Sequence, residues 1–300
     1  MLSTFSTLRV PGSSANLGPG FDALGLALKV YLECRFAASD KLTIRVTGRD
    51  ASQIPASDEN LIWKTALSVA ARAHLSLPPV DLTINNDIPI GKGLGSSAAA
   101  ITAGVVIASR LLDLRWRPSR ILDEAARIEG HPDNVAASVL GSVVVCATES
   151  GGMTRAIRLE MPEQFAIAVV YPNYAVSTRQ ARSVLPDCYP LPDVVYNIQR
   201  AALLVAALAT GDASVFPTAF DDKLHQSYRA QLVPGLIEIL RLRRKGLLGC
   251  ALSGAGPAVL VFYERGAEEV CELVRSVFAM NGCTSEMITS GISPTGYELV

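Results

Sequence analysis

The chain holds 300 residues with a formal net charge of −1; 49% of them are hydrophobic and 18% charged. With a mean hydropathy of +0.30, disorder is excluded, and the near-neutral balance leaves no electrostatic footprint for nucleic acid. The length suits two domains better than a single core.

No apolar run approaches the ~20 residues a membrane helix needs; the longest are residues 98–108 and 201–209. The first ten residues lack a basic head and an apolar stretch, so the expected location is the cytoplasm. Six cysteines, at 34, 146, 188, 250, 271 and 283, are scattered with no C-x-x-C pair. They read as reduced core thiols, not as a disulfide framework or a zinc site.

In the first half, strands are expected over residues 7–11, 27–37, 42–47 and 80–85, the third from its alternation of apolar and polar residues. A helix over 61–74 takes Asn60 as its cap, and a phosphate-loop helix follows with Ser96 and Ser97 at its N-cap. A helix over 119–129 and a strand over 143–146 complete the half. The turn-rich residues 149–153 mark the expected division into domains 1–152 and 153–300.

The second half predicts a buried strand over 165–171 and helices over 193–209 and 235–245, then a tail of strand 249–252, strand 258–263, helix 267–280 and strand 285–289. The fold class is therefore α+β, with helices on one face of an antiparallel sheet in the second half. The basic run 241–245 reads as cations complementing a helix C-terminus.

The most informative stretch is Pro89-Ile90-Gly91-Lys92-Gly93-Leu94-Gly95-Ser96-Ser97-Ala98-Ala99. A glycine-rich loop feeding a helix N-terminus gathers unpaired N–H groups at the positive end of the dipole, a ready-made phosphate site. It is neither a Walker A loop, because Gly93 follows Lys92, nor a dinucleotide fingerprint. A plain serine-capped turn is the alternative.

Three further stretches carry polar residues in loops. Residues 11–22 hold Asn16 and Asp22 among Pro, Gly and Ser; turn chemistry accounts for them as well as function does. Residues 129–134, Glu-Gly-His-Pro-Asp-Asn, set Glu129 at the end of one helix and Asp133 and Asn134 at the start of the next. Residues 253–257, Ser-Gly-Ala-Gly-Pro, form either a hairpin or a second backbone surface over phosphates.

Together these stretches resemble the GHMP kinases, and within them the homoserine kinases. The Gly-Leu-Gly-Ser-Ser loop carries the superfamily resemblance. The Ser-Ser-Ala-Asn-Leu-Gly-Pro-Gly-Phe-Asp stretch ending at Asp22 and the Glu-Gly-His-Pro-Asp-Asn stretch narrow it. The resemblance implies an N-terminal domain like the second domain of ribosomal protein S5, with a left-handed β-α-β crossover, and a ferredoxin-like C-terminal domain. It implies ATP and Mg²⁺, and phosphorylation of the L-homoserine hydroxyl on the route to threonine.

By the same resemblance, Thr178, Arg182 and Arg229 take the substrate carboxylate, with Arg179 as a competing choice. Asp22 and Asp133 hold the ammonium, and Asn16 and Asn134 orient the hydroxyl. Lys92 and the loop amides hold phosphate, Gly254 and Gly256 close over it, and Asn60 approaches the adenine. Ser97 and Glu129 are the Mg²⁺ candidates, with Asp123 or Glu124 as alternatives to Glu129. Asp133, Asn134 and Lys92 form the expected catalytic set.

A carboxylate already paired with an ammonium is a poor proton acceptor, so positioning without a strong base is expected. Another GHMP small-molecule kinase, or a non-catalytic nucleotide-binding protein of this fold, are the alternatives. A homodimer is the default assembly, with no nucleic-acid or membrane partner.

Overall fold

The computed structural model describes residues 5–289 and 291–299. The first four residues of the N-terminal stretch read above for a leader lie outside them.

The first domain is built on one mixed sheet. Strands β1 (Ser6–Ala15), β2 (Leu24–Ala38), β3 (Thr43–Gly48) and β4 (Val80–Asn86) stand where strands are expected. β1, however, runs on through residues 12–15, expected as loop, because they pair with β2, which itself starts at Leu24. β1 and β4 pair antiparallel with β2, while β3 runs parallel to β4. A parallel neighbour needs a crossover, and helix α1 (Leu61–Arg72) supplies it. Helices α2 (Ser96–Leu111), α3 (Pro118–Glu129) and α4 (Asp133–Leu140) pack on the sheet, and β5 (Val143–Thr148) joins the edge of β2. α2 is buried nearly all round, so it behaves as a core helix.

The sheet runs past the expected break at 152/153. β6 (Thr154–Leu159) pairs with β5, and β11 (Glu298–Leu299) returns from the chain's end to pair with β1. The turn at 149–153 is therefore a hairpin turn inside the first sheet.

The second sheet has the order β10-β7-β9-β8, all antiparallel, from β7 (Phe165–Pro172), β8 (Leu247–Leu252), β9 (Val259–Glu264) and β10 (Ser285–Ile288). That is the ferredoxin-like order. Helices cover both of its faces, not one. α9 (Leu236–Leu240) and α10 (Val270–Met280) bury Val259, Val261 and Tyr263 of β9. On the other side, Leu260 and Phe262 join a core with α6 (Leu191–Thr210) and α7 (Phe216–Ala219), through Phe216 and Phe220.

Two expectations about helix length are corrected. The helix expected over 235–245 stops at Leu240, and Arg243 then turns back to donate to the Leu240 and Leu242 carbonyls. α6 has 20 residues and a mean hydropathy of 1.2, so one helix does reach membrane length. Its apolar residues are interrupted by Asp193, Asn197 and Arg200, which hid it from a search for unbroken runs. Asn197 is buried and donates to the Pro19 carbonyl (2.7 Å), and Lys223 pairs with Asp193, so α6 is tied into this fold.

Candidate active site

The phosphate loop lies between β1 and the 253–257 turn. Gly95, in the left-handed region, is the true N-cap of α2, and Ser96 and Ser97 are its first helical residues. Their N–H groups, with that of Ala98, belong to the first turn, which has no intrahelical acceptors. The expected serine cap is thus shifted by one residue, because a residue with φ of +70° is needed where the loop meets the helix.

Ser253 stitches the two domains together here. Its Oγ donates to the Gly93 carbonyl (2.7 Å) and bonds Ser14 Oγ (2.8 Å), while the Gly254 and Ala258 amides donate to the Ala15 and Lys92 carbonyls. The packing leaves no room for side chains: a Cβ on Gly93 would stand 2.3 Å from the Ser253 carbonyl oxygen.

Around this loop opens a cleft of ≈ 230 Å³ between the domains. Of the expected residues, Gly91, Gly93, Leu94, Gly95, Ser96, Ser97, Asn16, Asp22, Glu129, Asp133, Asn134, Thr178, Arg182, Arg229 and Gly254 line it. On the far side of Ser96 and Ser97 lies a mostly apolar slot of ≈ 250 Å³ walled by Leu32, Ile54, Pro55, Ile62, Ile84 and Ile90.

Several expected residues do other work. Lys92 is absent from the cleft lining. Its Nζ donates to the Tyr174 carbonyl (2.8 Å), bracing the loop on the second domain, and burial holds its pKa below the usual value. Asn60 borders the apolar slot, but its Oδ1 caps α1 at Ile62 and its Nδ2 donates to Pro55, so it shapes the wall of that slot. Pro89, Ala98, Ala99 and Gly256 line neither space; Gly256 packs on Leu252 and Val233. Asn16 lies on the cleft with both amide ends engaged, accepting from the Asp22 N–H and donating to the Gly254 carbonyl.

The metal alternatives separate cleanly. Ser97 Oγ donates to Glu129 Oε2 at 2.9 Å on the cleft wall. Asp123 instead accepts from the Thr154 amide, and buried Glu124 faces Arg72, Arg120 and Arg127. Burial raises the Glu129 pKa, partly offset by His131 and the Ser97 hydroxyl.

At the base of the cleft, Asp133 is buried at the start of α4. Its Oδ1 accepts from the Asn134 amide (2.8 Å) and lies 3.0 Å from His131 Nδ1. Burial works against charge on His131, but the Asp133 hydrogen bond and the Asp133 and Glu129 charges outweigh it, and the imidazole titrates above its usual value. Asn134 Oδ1 accepts from Ser13 Oγ. Atoms of Asp22, His131 and Asp133 lie within 4.8 Å of one another, so two carboxylates and an imidazole meet at one corner of the cleft.

Two arginines also line the cleft. Arg182, on α5 (Thr178–Ser183), directs Nη2 at both Asp22 carboxylate oxygens (2.8 and 3.0 Å). The groups expected to hold opposite ends of an amino acid are here paired with each other. Arg179, on the same helix, is exposed and does not line the cleft.

Arg229 ends α8 (Gln226–Arg229) and is 2% exposed. Nε donates to the Ala181 carbonyl and Nη1 to the Gly254 carbonyl, leaving Nη2 without a protein partner among the described residues. Burial, followed by the charge of Arg182, pushes its pKa down to about 10. An anion entering the cleft would relieve that cost.

Two residues that the sequence did not single out complete the site. The Phe21 ring has Arg182 and Arg229 at 5.5 and 5.2 Å and stacks on His225 at 5.2 Å. His225 is fully buried, with Arg229 Nη1 at 3.2 Å. Its only sequence signal is the spacing of four residues before Arg229.

A phosphate loop at a helix N-terminus, an apolar slot on one side and a charged acceptor cleft on the other, all between two α+β domains, define a small-molecule kinase. The family comparison agrees over both halves. Residues 60–142 match the GHMP kinases N terminal domain and 204–279 the GHMP kinases C terminal domain. A homoserine kinase of Solibacter usitatus is 63% identical over 292 residues (97% of this chain, 96% of that one), and one of Deinococcus radiodurans is 41% identical (97% and 95%). The crystal structure of homoserine kinase from Cytophaga hutchinsonii superposes with a TM-score of 0.85 at 25% identity, covering 100% of this chain and 98% of that one. The chain belongs to the GHMP kinases, among their homoserine kinases.

Proposed function

We propose that this cleft transfers the γ-phosphoryl group of ATP to the side-chain hydroxyl of L-homoserine, giving O-phospho-L-homoserine and ADP. The observation that carries this is one continuous cleft lined by the phosphate loop, by the carboxylates of Asp22 and Asp133 and by the guanidinium groups of Arg182 and Arg229. A zwitterion matches both signs, whereas a hydroxy acid leaves buried Asp133 without a cationic ligand and a neutral sugar leaves buried Arg229 without an anionic one as well, which is costly.

The adenine fits the apolar slot beside Ile62 and Ile90, and the phosphates pass over Ser96 and Ser97 to the α2 N-terminus. Arg229 Nη2 and Thr178 receive the substrate carboxylate. Its ammonium enters the corner of Asp22 and Asp133, and Arg182 exchanges its contact with Asp22 for the incoming carboxylate. The hydroxyl then faces the phosphate loop beside Asn134.

Mg²⁺ fits the Ser97–Glu129 pair, a hydroxyl and a half-buried carboxylate already 2.9 Å apart at the loop's edge. Bound there, the ion supplies charge neutralisation for the phosphates. Asp133 serves as a positioning group: its Oδ1 is occupied by the Asn134 amide and His131, and its charge faces the ammonium. The hydroxyl proton leaves late, to phosphate or water.

A homodimer is retained as the expected assembly on general grounds. With Mg-ATP, ADP release is expected with L-homoserine and at background with shikimate, mevalonate and galactose; turnover on one of the other three contradicts the acceptor assignment.

A further inference from the structure

We propose that His225 is a positioning residue which, as the neutral Nε2–H tautomer, fixes the distance between the two charged poles of the acceptor site. This rests on the zwitterion reading above and extends it to a residue outside the cleft lining. The tautomer follows from partner chemistry. A guanidinium can only donate, so Nδ1, 3.2 Å from Arg229 Nη1, accepts. Nε2 therefore carries the proton and donates to the Gly18 carbonyl at 2.7 Å.

One imidazole thus bridges two elements. Gly18 belongs to the loop that carries Phe21 and Asp22, on the ammonium side, and Arg229 ends α8 on the carboxylate side. The stacked Phe21 ring adds a second contact between the same two elements. Asp222 holds the imidazole's own backbone in place, since its Oδ2 accepts from the His225 and Gln226 amides.

Protonation would oppose this arrangement, because an Nδ1–H would then face the guanidinium N–H. The charged groups facing the ring are Asp222 Oδ2 at 3.8 Å from Nε2, Arg229 on α8, and, across Phe21, Asp22 and Arg182. Burial is the dominant influence and holds the imidazole below its ordinary pKa, so the neutral form is the resident one.

The test compares His225→Leu, which removes both bonds, with His225→Asn, whose Oδ1 can accept from Arg229. Loss of a hydrogen bond to a buried charge predicts a KM for L-homoserine roughly 10- to 100-fold higher in His225→Leu. The asparagine variant is expected to recover at least half of that loss on a logarithmic scale. KM for ATP is expected to stay within about threefold in both, which a general loss of structure would not allow.

In the asparagine variant the acid limb of kcat/KM for L-homoserine is also expected to shift from the wild-type profile; this carries the test if the leucine variant does not fold. Equal rises in both KM values, or an unmoved KM for L-homoserine with an unmoved acid limb, overturn the role of His225. Wild-type protein silent on L-homoserine overturns the acceptor reading itself, and this assignment with it.

Discussion

Gly93→Ala is expected to lower kcat/KM for ATP by at least ~100-fold, the scale on which misplacing a reacting group by an ångström costs rate. Two effects combine. Gly93 sits at φ +84°, a region where a non-glycine residue pays of order 1–3 kcal/mol. The added methyl also meets backbone on the opposite domain, 2.3 Å from the Ser253 oxygen and 3.0 Å from Gly256.

No rotamer relieves a clash with backbone. The loop must move away from the 253–257 turn, breaking the Ser253–Gly93 and Ala258–Lys92 bonds that hold the phosphate site closed. Gly282→Ala is the matched control, with φ +75° and nothing within 4 Å of the added carbon. It is expected to lose a little thermal stability and no activity. Initial rates against ATP concentration for both variants decide this, and a Gly93→Ala enzyme within threefold of wild type contradicts the account of the loop.

Arg229→Lys is expected to cut kcat/KM for L-homoserine by roughly 100-fold or more while leaving KM for ATP within about threefold. A guanidinium spreads its donors over Ala181, Gly254 and His225 and still presents Nη2 to the cleft. An ammonium on a flexible stem cannot reproduce that fan. It would satisfy one carbonyl and leave the rest unpaired, at a cost for each buried acceptor.

The size of the effect follows from burial. At 2% exposure the Arg229 charge is largely desolvated, with a pKa already pushed down to about 10, so the substrate carboxylate is a partner that bulk water cannot replace. Rates against homoserine at saturating ATP provide the check. An equal loss against both substrates would mean that Arg229 maintains the fold, not the acceptor site.

Much of this arrangement was legible in the sequence because it depends on local patterns. The alternation in β3, the cap at Asn60 and the glycines of the phosphate loop are short-range features with direct backbone consequences. The Ser97–Glu129 pair rests instead on the family resemblance, since the start of α2 and the end of α3 meet only in the folded chain.

What escaped was set by tertiary partners. Lys92 reads as a phosphate ligand from its neighbours along the chain, yet the second domain offers the Tyr174 carbonyl 2.8 Å away and takes its ammonium. Asn16 and Asn60 have the polarity of ligands, but their amides satisfy backbone groups that the folded loops would otherwise bury unpaired. His225 reads as an ordinary histidine until α8 sets its ring between Gly18 and Arg229. The break expected at 149–153 failed for a related reason: turn residues mark a reversal of the chain, and only strand pairing tells whether the chain then leaves the sheet.

The central claim is that the acceptor carries both complementary charges, because Asp22 and Arg182 pair with each other here and each exchanges that partner for one end of the substrate. The decisive measurement is kcat/KM for L-homoserine beside 4-hydroxybutyrate, which lacks the ammonium, and 3-amino-1-propanol, which lacks the carboxylate, at saturating Mg-ATP. The account predicts that each truncated acceptor loses roughly 100-fold or more, as expected when a buried charge is left unpaired. Either acceptor turning over within tenfold of L-homoserine would contradict it.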